Sequence, residues 1–387
     1  MAKLIEITGK ALSGEWGTDD ETGDGIPVLR TTNFTNEGVV DYRNVVTRTI
    51  IKKKIEEKYL RKGDIIIEKS GGSDKQPVGR VIFFDGPEQT YLFNNFTGLL
   101  RVKDQTTWYP RYVFYSMYSN YRRGGTRAFE NKTTGLHNLK TDDYVSRYEV
   151  SETSMENQME ICERLDRLYG IIKMRQQELQ KLDELIKARF VEMFANWKKK
   201  YLAEPLGEYL QDITYGFTNP MPDAEEGPWK ITAKDVVNGI VNLDTARKTL
   251  QESYDKLTEK SKPQLGDVLL TKDGTLGRTA VVEIGGMCVN QSVAVLRINE
   301  KILPKYLSIL LQMPKYQRDM IADAGGGTIK HIYITKVVKM PIVVPSIEEQ
   351  NTFLDFVNQV DKSKVAVQKS LEETQLLFDS LMQQYFG

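Results

Sequence analysis

Ile161, Leu165, Leu168, Ile172, Arg175, Leu179, Leu182, Ile186, Arg189 and Met193 lie along the chain in steps that alternate four and three residues. That is the a/d spacing of a helix that lays one apolar stripe against another helix. Adding 192 to each number gives Phe353, Val357, Val360, Lys364, Val367, Leu371, Thr374, Phe378, Leu381 and Tyr385. The seam runs through both stretches without a gap. Arg175 and Arg189 interrupt the first, Lys364 and Thr374 the second. A single amphipathic helix on a globular core would produce one such stripe. Two in register, each about 50 Å long at 1.5 Å per residue, predict two equal helices that pack on each other.

Working outward, the segment ahead of each helix repeats too. Thr153-Ser154-Met155-Glu156-Asn157-Gln158 corresponds to Pro345-Ser346-Ile347-Glu348-Glu349-Gln350. Ser154 and Ser346 suit the N-cap, with an amide or a carboxylate in the first turn. Pro341 and Pro345 hold the second approach extended, and the first copy has neither.

Further upstream the repeat is weaker in identity but keeps its order. Lys62-Gly63-Asp64-Ile65-Ile66-Ile67 answers to Leu265-Gly266-Asp267-Val268-Leu269-Leu270, each a tight turn feeding an apolar strand. Val78-Gly79-Arg80-Val81 answers to Leu276-Gly277-Arg278-Thr279. Asn94-Asn95-Phe96-Thr97-Gly98-Leu99-Leu100-Arg101-Val102 answers to Asn290-Gln291-Ser292-Val293-Ala294-Val295-Leu296-Arg297-Ile298. Tyr121-Arg122-Arg123 pairs with Tyr316-Gln317-Arg318. Both histidines of the chain are expected in register, in Thr134-Gly135-Leu136-His137 and Thr328-Ile329-Lys330-His331.

These correspondences predict an α+β chain with a pseudo-two-fold repeat. A mostly β domain covers 1–152, with strands near 64–68, 80–84 and 99–102 and a helix near 110–121. A long helix covers 153–200. A second β-rich domain covers 201–345, and a second long helix covers 346–387.

Composition sets the outer limits. With 387 residues, 40% hydrophobic and 27% charged, the chain has apolar matter for more than one core and is not of a disordered type. No apolar run approaches membrane-spanning length. Met1-Ala2-Lys3-Leu4-Ile5-Glu6 lacks the apolar stretch of a signal peptide. Cys162 and Cys288 are isolated, share no metal spacing and read as buried or idle thiols of a reducing, cytoplasmic setting. The net charge is zero but uneven. Residues 1–150 carry 23 basic and 20 acidic side chains, 151–200 carry 10 and 9, 201–345 carry 17 and 17, and 346–387 carry 3 and 7. A chain that coats DNA by bulk charge has a different footprint. Any nucleic-acid contact must come from local basic loops or basic partners.

At this point the chain resembles the specificity subunit of type I restriction–modification systems. The resemblance covers nearly the whole chain. It rests on the order domain–helix–domain–helix, on the Gly-Asp strand starts, and on Lys339-Met340-Pro341-Ile342-Val343-Val344-Pro345-Ser346-Ile347-Glu348-Glu349-Gln350. It implies two target-recognition domains, each reading one half of a bipartite, asymmetric double-stranded DNA sequence, with an antiparallel coiled coil setting the spacer. It also implies two docked modification subunits that methylate adenine with S-adenosylmethionine. Restriction subunits would add a translocase and nuclease using ATP and Mg. The chain itself would then catalyse nothing and hold no cofactor or metal of its own. Two other readings stay open: a coiled-coil adaptor without DNA contact, and a specificity subunit serving a fused restriction–methylation enzyme.

The residues carry no chemistry of their own that competes with this. There is no Gly-rich cofactor loop after a strand, no Asn-Pro-Pro-Tyr-like site for an everted adenine and no Walker A loop. Ser70-Gly71-Gly72-Ser73 and Gly325-Gly326-Gly327-Thr328 lack phosphate-cradling spacing and are flexible or DNA-facing loops. Asp64, Glu68 and Lys69 superficially suggest a nuclease centre. The second copy has Asp267, Thr271 and Lys272, so one carboxylate is missing there. The aspartates therefore read as turn residues and the lysines as phosphate contacts.

DNA affinity should come from Lys and Arg on phosphates, and specificity from side chains at base edges. The candidates in the first domain are Lys69, Lys75, Arg80, Arg123, Arg127, Thr134 and His137. In the second they are Lys272, Thr275, Arg278, Arg318, Thr328, Lys330 and His331. Arg80 and Arg278 have a structural alternative, since each stands in the same strand motif. Asn94-Asn95 and Asn290-Gln291 have two readings, adenine contact or sheet-edge hydrogen bonding. Lys52-Lys53-Lys54, followed by Glu56-Glu57, reads as a solvated face.

Overall fold

The computed structural model describes residues 1–51, 55–133, 136–194, 201–237, 239–322 and 331–387. The chain divides into two compact units, Met1–Gln177 with Gln368–Gly387, and Glu178–Val367.

In the first unit the Gly-Asp turn feeds strand Ile65–Glu68, the middle of an antiparallel sheet. The sheet order is Leu12–Ser13, Thr97–Leu100, Ile65–Glu68, Val81–Phe83. Successive strand residues point to opposite faces, and both faces are covered, so Ile65, Ile66 and Ile67 are all fully buried. Ile65 and Ile67 pack with helix Pro110–Arg122. Ile66 faces a second cluster with Leu29, Phe34, Leu60 and Phe93. That cluster belongs to a small sheet whose last pair, Ile26–Leu29 with Leu92–Phe93, is parallel.

The second unit repeats this frame. Its sheet order is Leu210–Tyr215, Val293–Ile298, Val268–Thr271, Thr279–Val281. Its small sheet likewise ends in a parallel pair, Ala224–Ile231 with Met287–Val289. One departure follows from a proline. The unbroken 13-residue helix Pro110–Arg122 becomes two, Pro304–Gln312 and Pro314–Ala322, because Pro314 cannot continue the preceding helix.

The paired aspartates are indeed turn residues. Asp64 accepts the backbone N–H of Arg61 at 2.7 Å, and Asp267 that of Gln264 at 2.8 Å. Each also pairs with an arginine of the neighbouring strand, Arg101 at 2.7 Å and Arg297 at 2.9 Å. Glu68, which has no counterpart, pairs with Arg80 at 3.2 Å; burial pushes its carboxyl up despite that arginine. Among the described residues no group of three His, Cys, Asp or Glu could hold a metal ion.

The repeat extends further than residue identity suggested. The backbone N–H of Glu15 donates to Phe93 and that of Phe217 to Val289, at 2.8 and 3.0 Å. Strand Ala2–Lys3 pairs with Glu149–Val150 as Glu204–Pro205 pairs with Pro341–Ile342. One shared signal stood in the sequence: Gly14 and Gly216. A Cβ at Gly14 would lie 2.2 Å from the Phe93 carbonyl, and one at Gly216 1.7 Å from the Val289 carbonyl.

The histidines, by contrast, are not in register. The carbonyls of Lys69 and Lys272 accept from Leu139 and Ile332, so Ile332 corresponds to Leu139. In the same way Ser70 pairs with Asn138, and Asp273 with His331. His331 therefore corresponds to Asn138. His137 sits one residue earlier, beside a register shift, and a one-residue step turns a side chain to the other face.

Among the described residues the two long helices are Met155–Phe194 and Ile347–Phe386, and their starts lie 192 positions apart. Ser154 and Ser346 accept first-turn N–H groups, from Asn157 at 3.2 Å and Glu349 at 3.3 Å. Every seam residue of both helices is buried or half-buried. In the first unit Leu165, Ile172, Phe378 and Met382 share one core, with Ile161, Leu168, Leu371, Leu381 and Tyr385 packed against it. In the second, Ile186 joins Phe353, Val357 and Val360, flanked by Leu182 and Met193. Lys364 meets Asp183 at 2.6 Å, and Thr374 donates to the Ser370 carbonyl at 2.7 Å. Cys162, Phe194, Met382 and Phe386 are buried off the seam.

Candidate nucleic-acid interface

In the second unit, strand Val268–Thr271 runs out at Lys272. The Ser292 carbonyl holds this end by accepting the N–H groups of Lys272 at 2.8 Å and Asp273 at 3.4 Å. The buried Lys272 side chain reaches the Asp273 carboxylate at 2.8 Å and lies 5.3 Å over the ring of Tyr215, which is half exposed. His331 Nδ1 hydrogen-bonds the other Asp273 oxygen, and its ring meets Tyr333 edge-on at 5.0 Å. Burial raises the Asp273 carboxyl, but the hydrogen bonds from Lys272 and His331 outweigh it and hold it below its ordinary value.

The face continues from Ser292. Its hydroxyl accepts the Ala233 N–H at 3.1 Å and donates to Asn290 at 2.5 Å. Asn290 thus builds a turn. Beside it opens a cleft lined by Phe217, Lys230, Thr232, Lys234, Arg247 and Asn290. Thr275 and Arg278 are exposed just beyond the strand end. Gln317 donates to the Gly277 carbonyl at 2.8 Å, bringing the segment of exposed Arg318 beside that of Arg278. Aromatic and cationic side chains are interleaved here, the composition that stacks on bases and neutralises phosphates.

In the first unit several candidates have partners within the protein itself. Arg80 donates to the carbonyls of Phe34 at 2.9 Å and Thr31 at 3.0 Å besides pairing with Glu68. Arg123 donates to the carbonyls of Ser119 and Phe386, and Arg122 pairs with Asp379 at 2.7 Å. The Arg122-Arg123 pair therefore anchors the last helix. His137 is buried, with Glu130 at 3.2 Å and Asp74 at 3.6 Å. Lys69 is half-buried and donates to Ser13 at 2.9 Å; burial lowers its pKa. Lys75 and Arg127 are exposed, and Arg127 donates to the Asp74 carbonyl at 3.3 Å. Thr134, Thr328 and Lys330 lie outside the described residues, as do 52–54 and 325–327.

Tyr215, Phe217, Lys230, Lys234 and Arg247 were missed by sequence reasoning. A search for features shared by both copies passes over them, because the same frame positions in the first copy hold Ser13, Glu15, Val28, Thr32 and Val46.

No helix among the described residues is long and apolar enough to cross a membrane. Residues 2–184 and 219–375 match the family described as Type I restriction modification DNA specificity domain. The chain is 28% identical over 174 residues to the type I restriction enzyme EcoBI specificity subunit of Escherichia coli, covering 44% of this chain and 36% of that one. It is 28% identical over 103 residues to a putative type I restriction enzyme specificity subunit of Haemophilus influenzae, covering 26% of each. The aligned stretches thus span about a third of those relatives or less. Two solved structures share the fold. One, from work titled as the complex assembly and conformational transition of the type I R-M system, has a TM-score of 0.56 at 15% identity, with 100% of this chain and 96% of that one covered. The other, the S subunit of a type I restriction-modification system from M. genitalium, has 0.53 at 16%, with 100% and 95% covered. With the family match running through most of both repeats, the chain belongs to the type I restriction modification DNA specificity domain family.

Proposed function

We propose that this chain is the DNA sequence-specificity subunit of a type I restriction–modification complex and that its two domains read different half-sites of a bipartite, asymmetric target. One observation carries the reading. At the same strand end, one frame presents Ser13, Lys69, Ser70 and Asn138 in the first domain and Tyr215, Lys272, Asp273 and His331 in the second. Equal scaffolds with unlike polar groups suit two different base sequences.

The two long helices form an antiparallel coiled coil that sets the spacer. The reading draws support from the core of Leu165 with Phe378 in one unit and of Ile186 with Val360 in the other. Modification subunits dock on this frame and supply S-adenosylmethionine and adenine methylation; restriction subunits supply the ATP- and Mg-dependent steps. The chain itself is non-catalytic and acts in the cytoplasm. Lys69, Lys75 and Arg127 serve DNA contact in the first domain, and Lys272, Thr275, Arg278, Arg318 and His331 in the second.

Methylome sequencing of a strain expressing the chain with its modification subunit tests this. A split motif with unlike halves is expected, and a palindrome with identical halves would overturn it. Tyr215→Ala with His331→Ala should relax one half only.

A further inference from the structure

The cleft beside Asn290 has a charge arrangement that sequence-specific reading does not call for. Three cations line it: Lys230, Lys234 and Arg247. Asp223 takes two of them, Lys230 and Arg247, the latter at 2.6 Å. Asp235 is fully buried and engaged from within, accepting from the Thr232 N–H at 2.9 Å, the Thr232 hydroxyl at 2.8 Å and the Thr245 hydroxyl at 2.9 Å. That leaves Lys234 exposed, and among the described residues no carboxylate pairs with it. Arg247 is two-thirds exposed, on a carboxylate that is itself half exposed, so it can turn to an incoming anion. The cleft thus offers an ammonium and a guanidinium.

The repeat supplies an internal control. The parallel strand pair and its capped turn recur in the first domain, where Asn33 accepts the Arg30 N–H at 2.9 Å as Asp235 accepts that of Thr232. The positions that carry Lys230, Lys234 and Arg247 there hold Val28, Thr32 and Val46. The frame therefore does not need these cations in order to fold.

We infer that this cleft holds a backbone phosphate of the DNA duplex, in the second domain alone, with Lys234 and Arg247 as its main contacts. The inference rests on the DNA-binding reading above. Phosphate oxygens only accept hydrogen bonds, and the free groups of the cleft donate them. Its place beside Tyr215, Lys272 and His331 sets the register of the strand whose bases that face reads. The second domain thereby grips DNA by charge more than the first.

The salt dependence of binding to a fluorescent mixed-sequence duplex tests this, using the full chain alone and with its modification subunit. Each phosphate neutralised contributes about −0.9 to the slope of log K against log salt. Lys234→Gln should make the slope shallower, and Lys234→Gln with Arg247→Gln should complete the loss of that one phosphate, making it shallower by about one. Both residues are exposed, so the variants should keep the native circular dichroism and melting temperature. Lys62→Gln, an exposed lysine of the first domain, should leave the slope unchanged. An unchanged slope in the double variant, or an equal loss with Lys62→Gln, overturns the cleft and leaves the DNA reading standing. A wild-type chain that binds no duplex in either setting overturns that reading itself.

Discussion

The side-chain oxygen of Gln158 accepts the backbone N–H of Tyr109 at 2.8 Å, and 192 residues later Gln350 accepts that of Leu303 at 2.8 Å. Both amides are buried and both donate twice. Gln158 donates to the carbonyls of Thr107 and Thr153, and Gln350 to those of Lys301 and Pro345. Each glutamine thus ties the first turn of a long helix to the segment leading into its domain's own helix. Substitution by leucine strands one donor and two acceptors. Gln158→Leu and Gln350→Leu should each cost about 3 kcal/mol, read as a shift in the urea midpoint. Glutamate keeps the acceptor but turns it on two carbonyls, so Gln→Glu should not rescue.

Lys364 occupies a seam position and pairs with Asp183, whose carboxylate is largely exposed. Such a pair contributes below about 1 kcal/mol, whereas apolar side-chain burial contributes about 1.5–3 kcal/mol. Lys364→Leu should therefore stabilise the chain by roughly 1 kcal/mol. A lower unfolding midpoint would show that the ion pair outweighs the gained apolar contact.

The thiols should be inert in the folded chain. Burial pushes Cys162 well above the ordinary thiol range and Cys288 up to about 11. The attacking species is the thiolate. Titration with a thiol-reactive disulfide reagent at pH 8 should find neither of the two cysteines in the native state and both in urea.

Deleting one heptad from the middle of each long helix should shorten the methylated motif's spacer and leave both half-sites as they were. Seven residues remove two turns and about 10 Å of helix while preserving the a/d seam. The methylome of the deletion strain reads this directly, and an altered half-site would contradict the separation of ruler from reader.

The sequence and the structure agree where a pattern is periodic or covalently local. The seam needs only a 3.5-residue apolar repeat, so both helices and their common offset were legible. The Gly-Asp turns were legible because the aspartate caps a neighbouring N–H three residues away. The N-terminal part of the repeat was not legible. Its equivalence lies in backbone pairing, which many side chains satisfy, and only Gly14 and Gly216 left a trace.

Arg80 and Arg278 mark the boundary between the two kinds of information. They occupy one motif, Gly-Arg after the same turn, and the sequence by itself determined that motif, the doubled α+β frame and the two long helices. Only the tertiary structure decided that Arg80 is wrapped by the Phe34 and Thr31 carbonyls and Glu68 while Arg278 stands exposed. It alone also decided that His137, one residue off the position of His331, is buried while His331 lies beside Asp273. Exposure of a long polar side chain depends on which carbonyls and carboxylates distant loops bring within 3 Å, and no local pattern encodes that.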